Sequence, residues 1–441
     1  MIEVYSAIFE VLAEYKYCVM RNAAGLPYSN ESNDIDLLVP KNQYHEIVLN
    51  VSRILNSLGY TRVERSSFFG IECFTYYSLD TSFDPVKLDY FFDFRGGGLC
   101  YLDYEAIITY RVANQDGIYV LEPSFEAWLT GLKVLLSGGS LKRKYLENLK
   151  GSSIKNFTCK FSFLGLIAND IENIQAGCEP KGKRLRYLSQ ILFHNILYIG
   201  LRTTINNLFS HLKYELSRLT SKNRFLVLSG IDGAGKSSLL DASLSNSQTD
   251  FKSPRHRFKE NHHRPRIIPT ISYLLSTSKK ERSKLKEVYE NPRSGLTKNV
   301  FLSSLSFFYY VFDYILLRLK HLNDFRTGKI VIYDRYYYDF LVDPARSAMR
   351  INPKLVILIY KLFVPKPTMT IYVTTPPEIS VERKQELTAD DAKKLQDRYI
   401  KYASLWSTYR VIENIDFDSS VRTFKNCIIL AITEDIKEFI D

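Results

Sequence analysis

One run of eight residues, 230–237, constrains the fold of this chain more than any other part of its sequence. It matches the pattern G-x-x-x-x-G-K-S/T at every fixed position. An apolar run at 224–230 precedes it, and a run with helical character at 237–245 follows it. This order predicts a loop between a buried strand and a helix N-terminus, where backbone N–H groups bind phosphate.

The residue types in this loop explain the chemistry that it is predicted to perform. Glycines let backbone N–H groups curl around phosphate oxygens, and Lys236 reaches the β- and γ-phosphates of a nucleotide. The Ser237 hydroxyl is a ligand for Mg²⁺. The sequence therefore predicts an α/β domain of the P-loop NTPase type, with a parallel sheet and flanking helices, that binds ATP and Mg²⁺. The predicted nucleotide-binding residues are Gly230, Asp232, Gly233, Ala234, Gly235, Lys236, Ser237 and Ser238.

Two segments further along the chain are predicted to complete this site. Residues 329–333 form a strand-like run that ends at Asp334 and Arg335, and the carboxyl ends of parallel strands meet at one edge of a sheet. Asp334 is therefore predicted to share the Mg²⁺ with Ser237, and Arg335 to bind an acceptor phosphate through its planar guanidinium. Arg383, which follows a later strand, is predicted to stabilise charge on the transferred group. The predicted catalytic residues are Lys236, Asp334, Arg335 and Arg383.

Taken together, residues 222–441 resemble the thymidylate kinase family of nucleoside monophosphate kinases. The loop G-I-D-G-A-G-K-S-S, with its acidic Asp232, is similar to the loop of that family, and the D-R-Y run at 334–336 stands at its D-R-Y/H motif. The region around residue 382 resembles its lid, and the tail resembles its last strand and helix. The resemblance implies an enzyme that uses ATP and Mg²⁺ to phosphorylate a nucleoside monophosphate or a similar acceptor.

Other stretches depart from a housekeeping thymidylate kinase. Basic and histidine residues cluster at 255–257 and 262–265, and an aromatic and acidic run occupies 337–346. These stretches resemble a divergent branch of the family that occurs with bacterial surface-polysaccharide genes. The basic cluster suits either an anionic acceptor or a structural role. Two alternatives therefore stay open: a bifunctional sugar kinase and nucleotidyltransferase of surface-polysaccharide biosynthesis, and a nucleotide-binding regulatory or scaffold protein without a small-molecule acceptor.

A second candidate site lies near the N-terminus, where Asp34 and Asp36 stand two residues apart in a strand-like run. Alternation along a strand directs both carboxylates to the same face, and carboxylate oxygens are ligands that Mg²⁺ prefers. Asp89 is the predicted third carboxylate, and Asp93 is the alternative. The pattern resembles the nucleotidyltransferase fold over residues 17–95, and it implies a Mg²⁺ site for attack on an α-phosphate.

This segment departs from the nucleotidyltransferase fold at the phosphate-binding turn. The family has Gly-Ser before the two carboxylates, whereas Gly25 is followed here by Leu26. Arg21 is a candidate to replace the missing hydroxyl, and a structural role is the other interpretation. Both an active transferase and a retained fold that binds an acceptor are compatible with these residues.

Three segments are predicted along the chain. Residues 1–135 form a smaller α+β nucleotidyltransferase-like domain, 136–221 a helical connector, and 222–441 the thymidylate kinase-like P-loop domain. Within the first segment, helices are predicted at 2–15 and 41–60, and strands at 17–21, 34–39, 68–77 and 86–94.

Charge bears on the expected partners. A formal net charge of +11 and a pI near 9.1 favour anionic partners, here a nucleotide and a small phosphorylated or sugar-like acceptor. No motif predicts sequence-specific binding to nucleic acid. Basic and apolar residues at 181–222 fit either a connector that packs on both domains or an interfacial helix on anionic lipid. The sequence is also compatible with a homodimer.

The location expected from the sequence is cytoplasmic, and peripheral to a membrane if the connector binds lipid. The first residues lack the basic region of a signal peptide, and the six cysteines show neither C-x-x-C pairs nor metal-type spacing.

Overall fold

The computed structural model describes residues 2–21, 23, 25–28, 34–68, 70–80, 84–137, 147, 149–154, 157, 166–176, 183–217, 224–245, 258–262, 264–269, 300–347, 349, 351–384, 387–405 and 408–440. The chain divides into a first unit, Met1–Ser217 with Thr433–Asp441, and a second unit, Arg218–Ile432. This division differs from the three predicted segments, because the first unit extends through the predicted connector to Ser217 and also includes Thr433–Asp441.

The first unit is built on a mixed sheet. Its strands are β1 (Cys18–Val19), β2 (Ile35–Leu38), β3 (Arg62–Phe68), β4 (Ile71–Tyr77), β5 (Val86–Phe91), β6 (Phe94–Gly96), β7 (Leu99–Leu102), β8 (Arg111–Ala113), β9 (Tyr119–Leu121) and β15 (Glu434–Asp435). Eight of them form one sheet in the order β15-β3-β4-β5-β2-β1-β9-β8, and β6 pairs with β7 as a separate hairpin.

Helices and one π-helical turn complete the first unit. They are α1 (Ile2–Leu12), α2 (Tyr44–Ser57), α3 (Tyr104–Ile108), α4 (Pro123–Ser137), α5 (Leu166–Gln175), α6 (Arg184–His194), the turn Asn195–Ile199, α7 (Leu201–Ser217) and α17 (Ile436–Ile440). In α1 the buried side chains of Val4, Ile8 and Leu12 recur every four residues, so one face of the helix packs into the core.

Strand β2 lies inside the sheet and is buried along its whole length. It pairs antiparallel with β1 and parallel with β5, in a register that sets Asp36 opposite Asp89. The run predicted as one strand at 68–77 is part of a hairpin, since β3 and β4 pair antiparallel. Gly70 permits this turn, because its φ of 84° is one that residues with a Cβ rarely adopt.

The end of the chain returns to the first unit after the second unit is complete. Strand β15 pairs antiparallel with β3 through Glu434 and Asp435. Ile436 is fully buried, and the Arg65 guanidinium lies 4.8 Å from the centre of the Phe439 ring. These residues therefore supply an edge strand and part of the core of the first unit.

The second unit contains a parallel sheet with flanking helices, as the sequence predicts. Its strands are β10 (Phe225–Ser229), β11 (Phe258–His262), β12 (Ile330–Asp334), β13 (Met369–Thr374) and β14 (Tyr409–Glu413), in the order β11-β12-β10-β13-β14. All four pairings are parallel. Its helices are α8 (Lys236–Ser245), α9 (Val300–Ile315), α10 (Leu317–Lys320), α11 (Leu322–Arg326), α12 (Asp339–Val342), α13 (Pro353–Leu362), α14 (Pro377–Arg383), α15 (Ala389–Tyr402) and α16 (Phe417–Ile432).

Three consecutive tyrosines fix the chain where it leaves β12. Tyr336, Tyr337 and Tyr338 are all buried. Each hydroxyl has a hydrogen-bond partner: Tyr336 donates to the carbonyl of Pro365 at 2.8 Å, Tyr337 to that of Val356 at 3.1 Å, and Tyr338 meets another tyrosine hydroxyl at 3.0 Å. Buried hydroxyls that are satisfied in this way hold the preceding strand end in one position.

None of the helices in the described ranges is both long enough and apolar enough to cross a membrane.

Candidate active site

The glycine-rich loop follows β10 directly and leads into α8. Gly233 and Gly235 have φ angles of 84° and 86°, in the left-handed region that glycine adopts without strain. A Cβ on Gly233 would collide with the backbone carbonyl of Ser380, and one on Gly235 would collide with the side-chain amide of Asn414. The glycines are therefore needed both for the curl of the loop and for the close approach of its neighbours.

Lys236 is folded under this loop. Its ammonium donates to the carbonyls of Gly230 at 3.0 Å and Ile231 at 2.9 Å, and only 7% of the residue is exposed. Burial, followed by the charge of Arg335, lowers the pKa of Lys236 to about 8, although nearby carboxylates act in the opposite direction. Phosphate oxygens would favour the charged ammonium more strongly than the two carbonyls do.

Asp334 ends β12 at the same edge of the sheet as the loop. The register of β10 and β12 sets it opposite Leu228, two residues before the loop begins. Its charge also acts on Lys236, whose pKa it raises. Ser237 and Ser238 are exposed in the first turn of α8. The structure thus brings Lys236, Asp334 and the N-terminus of α8 to one edge, as parallel strands require.

Arg335 adopts an unusual backbone conformation next to Asp334. Its φ is 70°, which a residue with a Cβ adopts only at a cost. The buried guanidinium donates to Asp232 at 2.5 Å, to Asp339 at 3.2 Å and to the Tyr399 hydroxyl at 3.5 Å. Two carboxylates therefore hold Arg335 against the loop and offset the cost of the strained backbone.

Asp232 is the centre of a cluster of cations on the loop. Its carboxylate accepts hydrogen bonds from Arg335 and Arg346, and the Lys384 ammonium lies 3.9 Å away. Burial alone would raise the pKa of Asp232, but the surrounding cations, Arg335 first, hold it well below its usual range. The carboxylate is therefore charged at any working pH, and it orders two guanidinium groups beside the loop.

Arg383 ends α14 with an exposed side chain. One of its guanidinium nitrogens lies 3.6 Å from the position that a Cβ on Gly235 would take. All four predicted catalytic residues therefore surround the loop. Their roles stay predictions.

Four residues that the sequence analysis missed organise the site: Asp339, Arg346, Tyr399 and Asn414. Asp339 is fully buried and accepts from the Tyr399 hydroxyl at 3.0 Å, in addition to Arg335. Asn414 donates to the carbonyl of Ala234 at 2.8 Å. The i, i+4 spacing of Arg335 and Asp339 could have suggested that pair. Asn414 has no such signal, because 180 positions separate it from its partner.

The structure describes only part of the basic cluster on either side of β11. Residues 255–257 and 263 lie outside the described residues. The Arg264 guanidinium pairs with Asp313 at 3.2 Å, and Asp313 also accepts from the backbone N–H groups of residues 266–268. Of the two interpretations of the cluster, these contacts favour a structural role for Arg264.

The acidic group of the first unit forms as one cluster. Single carboxylate oxygens of Asp34, Asp36 and Asp89 all lie within 4.8 Å of one another. One oxygen each of Asp36 and Asp89 is buried without a hydrogen-bond partner among the described residues. The Lys87 ammonium lies 3.2 Å from both Asp34 and Asp89, and Arg21 pairs with Asp36. Two cations thus neutralise part of this cluster, and two buried oxygens stay unsatisfied.

Asp93, the alternative third carboxylate, does not join this cluster. It pairs with Arg95 and lies beyond the end of β5, where the alternation of a strand no longer sets its direction. Leu26, at the position of the missing serine, is buried in the core. Lys133 on α4 is a cation that the sequence analysis missed. The pKa of Lys133 is lowered, first by desolvation and then by the charge of Arg21, although Asp34 and Asp89 act in the opposite direction.

Part of this chain is similar in sequence to a curated protein described as a thymidylate kinase. A protein of Staphylothermus marinus described as "Probable thymidylate kinase" is 31% identical over 191 residues, which are 43% of this chain and 78% of that protein. No protein-family model matches the chain. The crystal structure of thymidylate kinase from Ehrlichia chaffeensis matches 46% of this chain and 97% of its own length, with 14% identity and a TM-score of 0.29. The family assignment rests on the similarity to the curated relative.

Proposed function

This chain belongs to the thymidylate kinase family, and on that premise we propose that its second unit transfers the γ-phosphoryl group of ATP, with Mg²⁺, to a nucleoside monophosphate or a similar acceptor. One observation carries the proposal. Lys236, Asp334, Arg335 and Arg383 come from three different segments, and all of them surround a single glycine-rich loop.

The loop supports ATP as the phosphoryl donor. Its backbone N–H groups and the N-terminus of α8 form a cradle for phosphate. Lys236 would exchange the carbonyls of Gly230 and Ile231 for β- and γ-phosphate oxygens. Arg383, exposed beside Gly235, would neutralise charge on the transferred group.

The residues at the sheet edge fit Mg²⁺. A hydroxyl from Ser237 and a carboxylate from Asp334 are hard oxygen ligands, which Mg²⁺ takes while it keeps several waters. Bound there, the ion would neutralise phosphate charge during transfer. Positioning and electrostatics supply most of the catalysis in such a site, so no covalent nucleophile is needed.

The acceptor would lie on the side of the cations that gather on Asp232. Arg335 would orient an anionic acceptor group, and Arg346 is a second guanidinium in the same cluster. Because Asp232 fixes Arg335, the acceptor meets a guanidinium that is already oriented, which reduces the entropy lost on binding. Neither arginine by itself distinguishes a nucleoside monophosphate from a sugar phosphate.

The experiment is γ-phosphate transfer from labelled ATP to dTMP, other nucleoside monophosphates, sugars and sugar phosphates. Lys236→Ala should lower the rate by about 10²-fold or more, while Lys361→Ala, at an exposed lysine on α13, should leave it unchanged. Lys236-dependent transfer to dTMP supports a nucleoside monophosphate kinase. Transfer to a sugar alone supports the surface-polysaccharide alternative. Bound ATP without transfer contradicts a kinase for these acceptors and favours the regulatory alternative.

A second candidate function is nucleotidyl transfer by the first unit. The two unsatisfied buried oxygens of Asp36 and Asp89, beside Asp34, favour it, because such oxygens are costly unless a proton or a cation meets them. A divalent cation bound there would activate an α-phosphate for attack. Lys133 and Arg21 are the cations available to the phosphates of the nucleotide.

This second function predicts release of pyrophosphate from a nucleoside triphosphate. Asp36→Asn should abolish the release, and it should also abolish any rise in the thermal midpoint on addition of Mg²⁺ or Mn²⁺. Asp93→Asn is the matched control, because that carboxylate is also buried but pairs with Arg95. Loss of both responses in Asp93→Asn but not in Asp36→Asn would show that the proposal places the site on the wrong carboxylates.

A further inference from the structure

Helix α7 carries its apolar side chains on the face that points away from its own unit. Along the helix they are spaced four, three, one, three and four residues apart, which places them within an arc of about 100°. Between 36% and 68% of each side chain is exposed. This apolar arc consists of Leu201, Ile205, Leu208, Phe209, Leu212 and Leu216.

The side of α7 that adjoins the Leu208 edge of this arc is fixed to the first unit. The Asn195 side chain, just before the helix, exchanges two hydrogen bonds with the backbone of Cys100 at 3.0 and 2.7 Å. Thr204 is buried, and Gly98 lies so close to the helix that a Cβ there would meet Leu208, at the edge of the apolar arc, at 3.1 Å. The Tyr214 hydroxyl donates to the carbonyl of Ser67 at 2.7 Å. The helix is thus held on the first unit with most of its apolar side chains exposed to solvent, whereas a helix on a protein surface usually buries them.

The charges near the apolar arc have one predominant sign. Arg202 and Lys213 are exposed on the helix and lie about 20–40° beyond one edge of the arc. On the helix itself these two cations stand against one acidic residue, Glu215, which lies about 20° beyond the other edge of the arc. Three further basic residues, at 183, 184 and 186, precede the helix. The turn before α7 adds two further exposed side chains, Leu197 and Tyr198. Aromatic and leucine side chains with basic flanks are the composition of helices that lie in a lipid interface.

We propose that α7 docks the protein on an anionic lipid surface, with the apolar arc buried among the acyl chains and Arg202 and Lys213 at the headgroups. A second copy of the chain fits this face less well, because it would bring a second set of basic flanks against the first. Lipid headgroups supply the complementary charge, and long basic side chains reach them while their stems stay apolar. The proposal does not depend on the kinase activity.

The test is flotation of the full chain with vesicles of phosphatidylcholine alone and of phosphatidylcholine mixed with phosphatidylserine. The wild type should float with the mixed vesicles, more weakly at high salt, and not with phosphatidylcholine alone. Leu212→Ser with Leu216→Ser should lower the apparent affinity by about tenfold or more. Leu358→Ser with Leu362→Ser is the matched control, since these leucines have the same i, i+4 spacing and are 53% and 63% exposed, against 54% and 55% on α7.

Charge reversal tests the attraction to anionic headgroups separately from the burial of the apolar arc. Arg202→Glu with Lys213→Glu should abolish the preference for phosphatidylserine, whereas Lys354→Glu with Lys361→Glu, two exposed lysines on α13, should keep it. Sedimentation without lipid is measured for every variant. A wild type that does not bind mixed vesicles, or control pairs that lose as much affinity as the α7 pairs, would overturn the proposal. So would a dimer that the α7 leucine substitutions convert to a monomer, because a second copy would then be the occupant.

Discussion

Raising the pH from about 7 to about 9 should weaken ATP binding through one group, the Lys236 ammonium. In the structure its pKa is about 8, because it is buried and lies near Arg335. Phosphate oxygens favour the charged form, so bound ATP should raise that pKa. ATP binding to a molecule with neutral Lys236 must therefore be accompanied by uptake of a proton.

The size of the effect follows from the pKa of the ATP-free protein. At a pH of about 8 half of the molecules carry neutral Lys236, so binding takes up about half a proton per ATP. The dissociation constant should be about tenfold higher at pH 9 than at pH 7, a difference of about 1.4 kcal/mol. The sign for stability is opposite. Because the folded pKa lies below the ordinary lysine value of 10.5, burial of Lys236 destabilises the ATP-free fold most below pH 8, and this cost is relieved as the pH rises.

Isothermal titration calorimetry measures the proton directly, because the observed heat then depends on the ionisation enthalpy of the buffer. Lys236→Arg is the control, since a guanidinium stays charged over the whole range and cannot take up a proton. Lys236→Arg should bind ATP more weakly than the wild type. Between pH 7 and pH 9 its affinity should not show the fall of about tenfold that is due to Lys236. A wild-type heat that is the same in all buffers near pH 8, or an equal pH dependence in Lys236→Arg, would refute the reasoning.

Two further predictions concern stability. Asp339→Asn removes one of the carboxylates that hold buried Arg335, so the free energy of unfolding should fall by about 3 kcal/mol and the thermal midpoint by roughly 6–12 °C. Asp391→Asn removes an exposed ion pair at 3.5 Å but keeps an oxygen that can accept from the Thr388 hydroxyl, so it should change the free energy of unfolding by less than about 0.5 kcal/mol. Equal losses would contradict the role of the buried pair. Gly233→Ala and Gly328→Ala both place a Cβ on a left-handed residue, but the Cβ meets a backbone carbonyl only at Gly233 and nothing within 4 Å at Gly328. Gly328→Ala should therefore cost about 1 kcal/mol, whereas Gly233→Ala should cost more and also weaken ATP binding. Thermal melts and ATP titrations compare the two, and similar effects would show that the close contact at the loop does not matter.

The parts of the site that local sequence encodes could be predicted. The loop at 230–237 has a fixed spacing, and Asp334 ends an apolar run, so the rule for parallel strands was enough to bring Asp334 near the loop. Asp34 and Asp36 could be placed on one face of a strand for the same kind of reason, because the pattern of a strand repeats every two residues. In each case the prediction required only neighbours in the chain and one general rule of packing.

The parts that depend on tertiary packing could not be predicted. The two guanidinium groups on Asp232 come from positions more than a hundred residues away, and no local pattern records that they converge. Asp93 stayed an alternative because its residue type does not show that β5 ends at Phe91, two residues before it. The apolar residues of α7 predicted an amphipathic helix, but periodicity alone does not say which face meets the protein.

The path of the chain imposes an order on its folding. The first unit takes β15 and Ile436 from residues that follow the entire second unit. A growing chain emerges from the ribosome N-terminus first, so the second unit can close before the first unit has received its last strand. A stop codon just after Ile432 would leave the parallel sheet intact, yet it would strip the partner from β3 and expose an unpaired edge that invites aggregation. A truncation after Ile432 would therefore impair the first unit, although the residues removed follow the second.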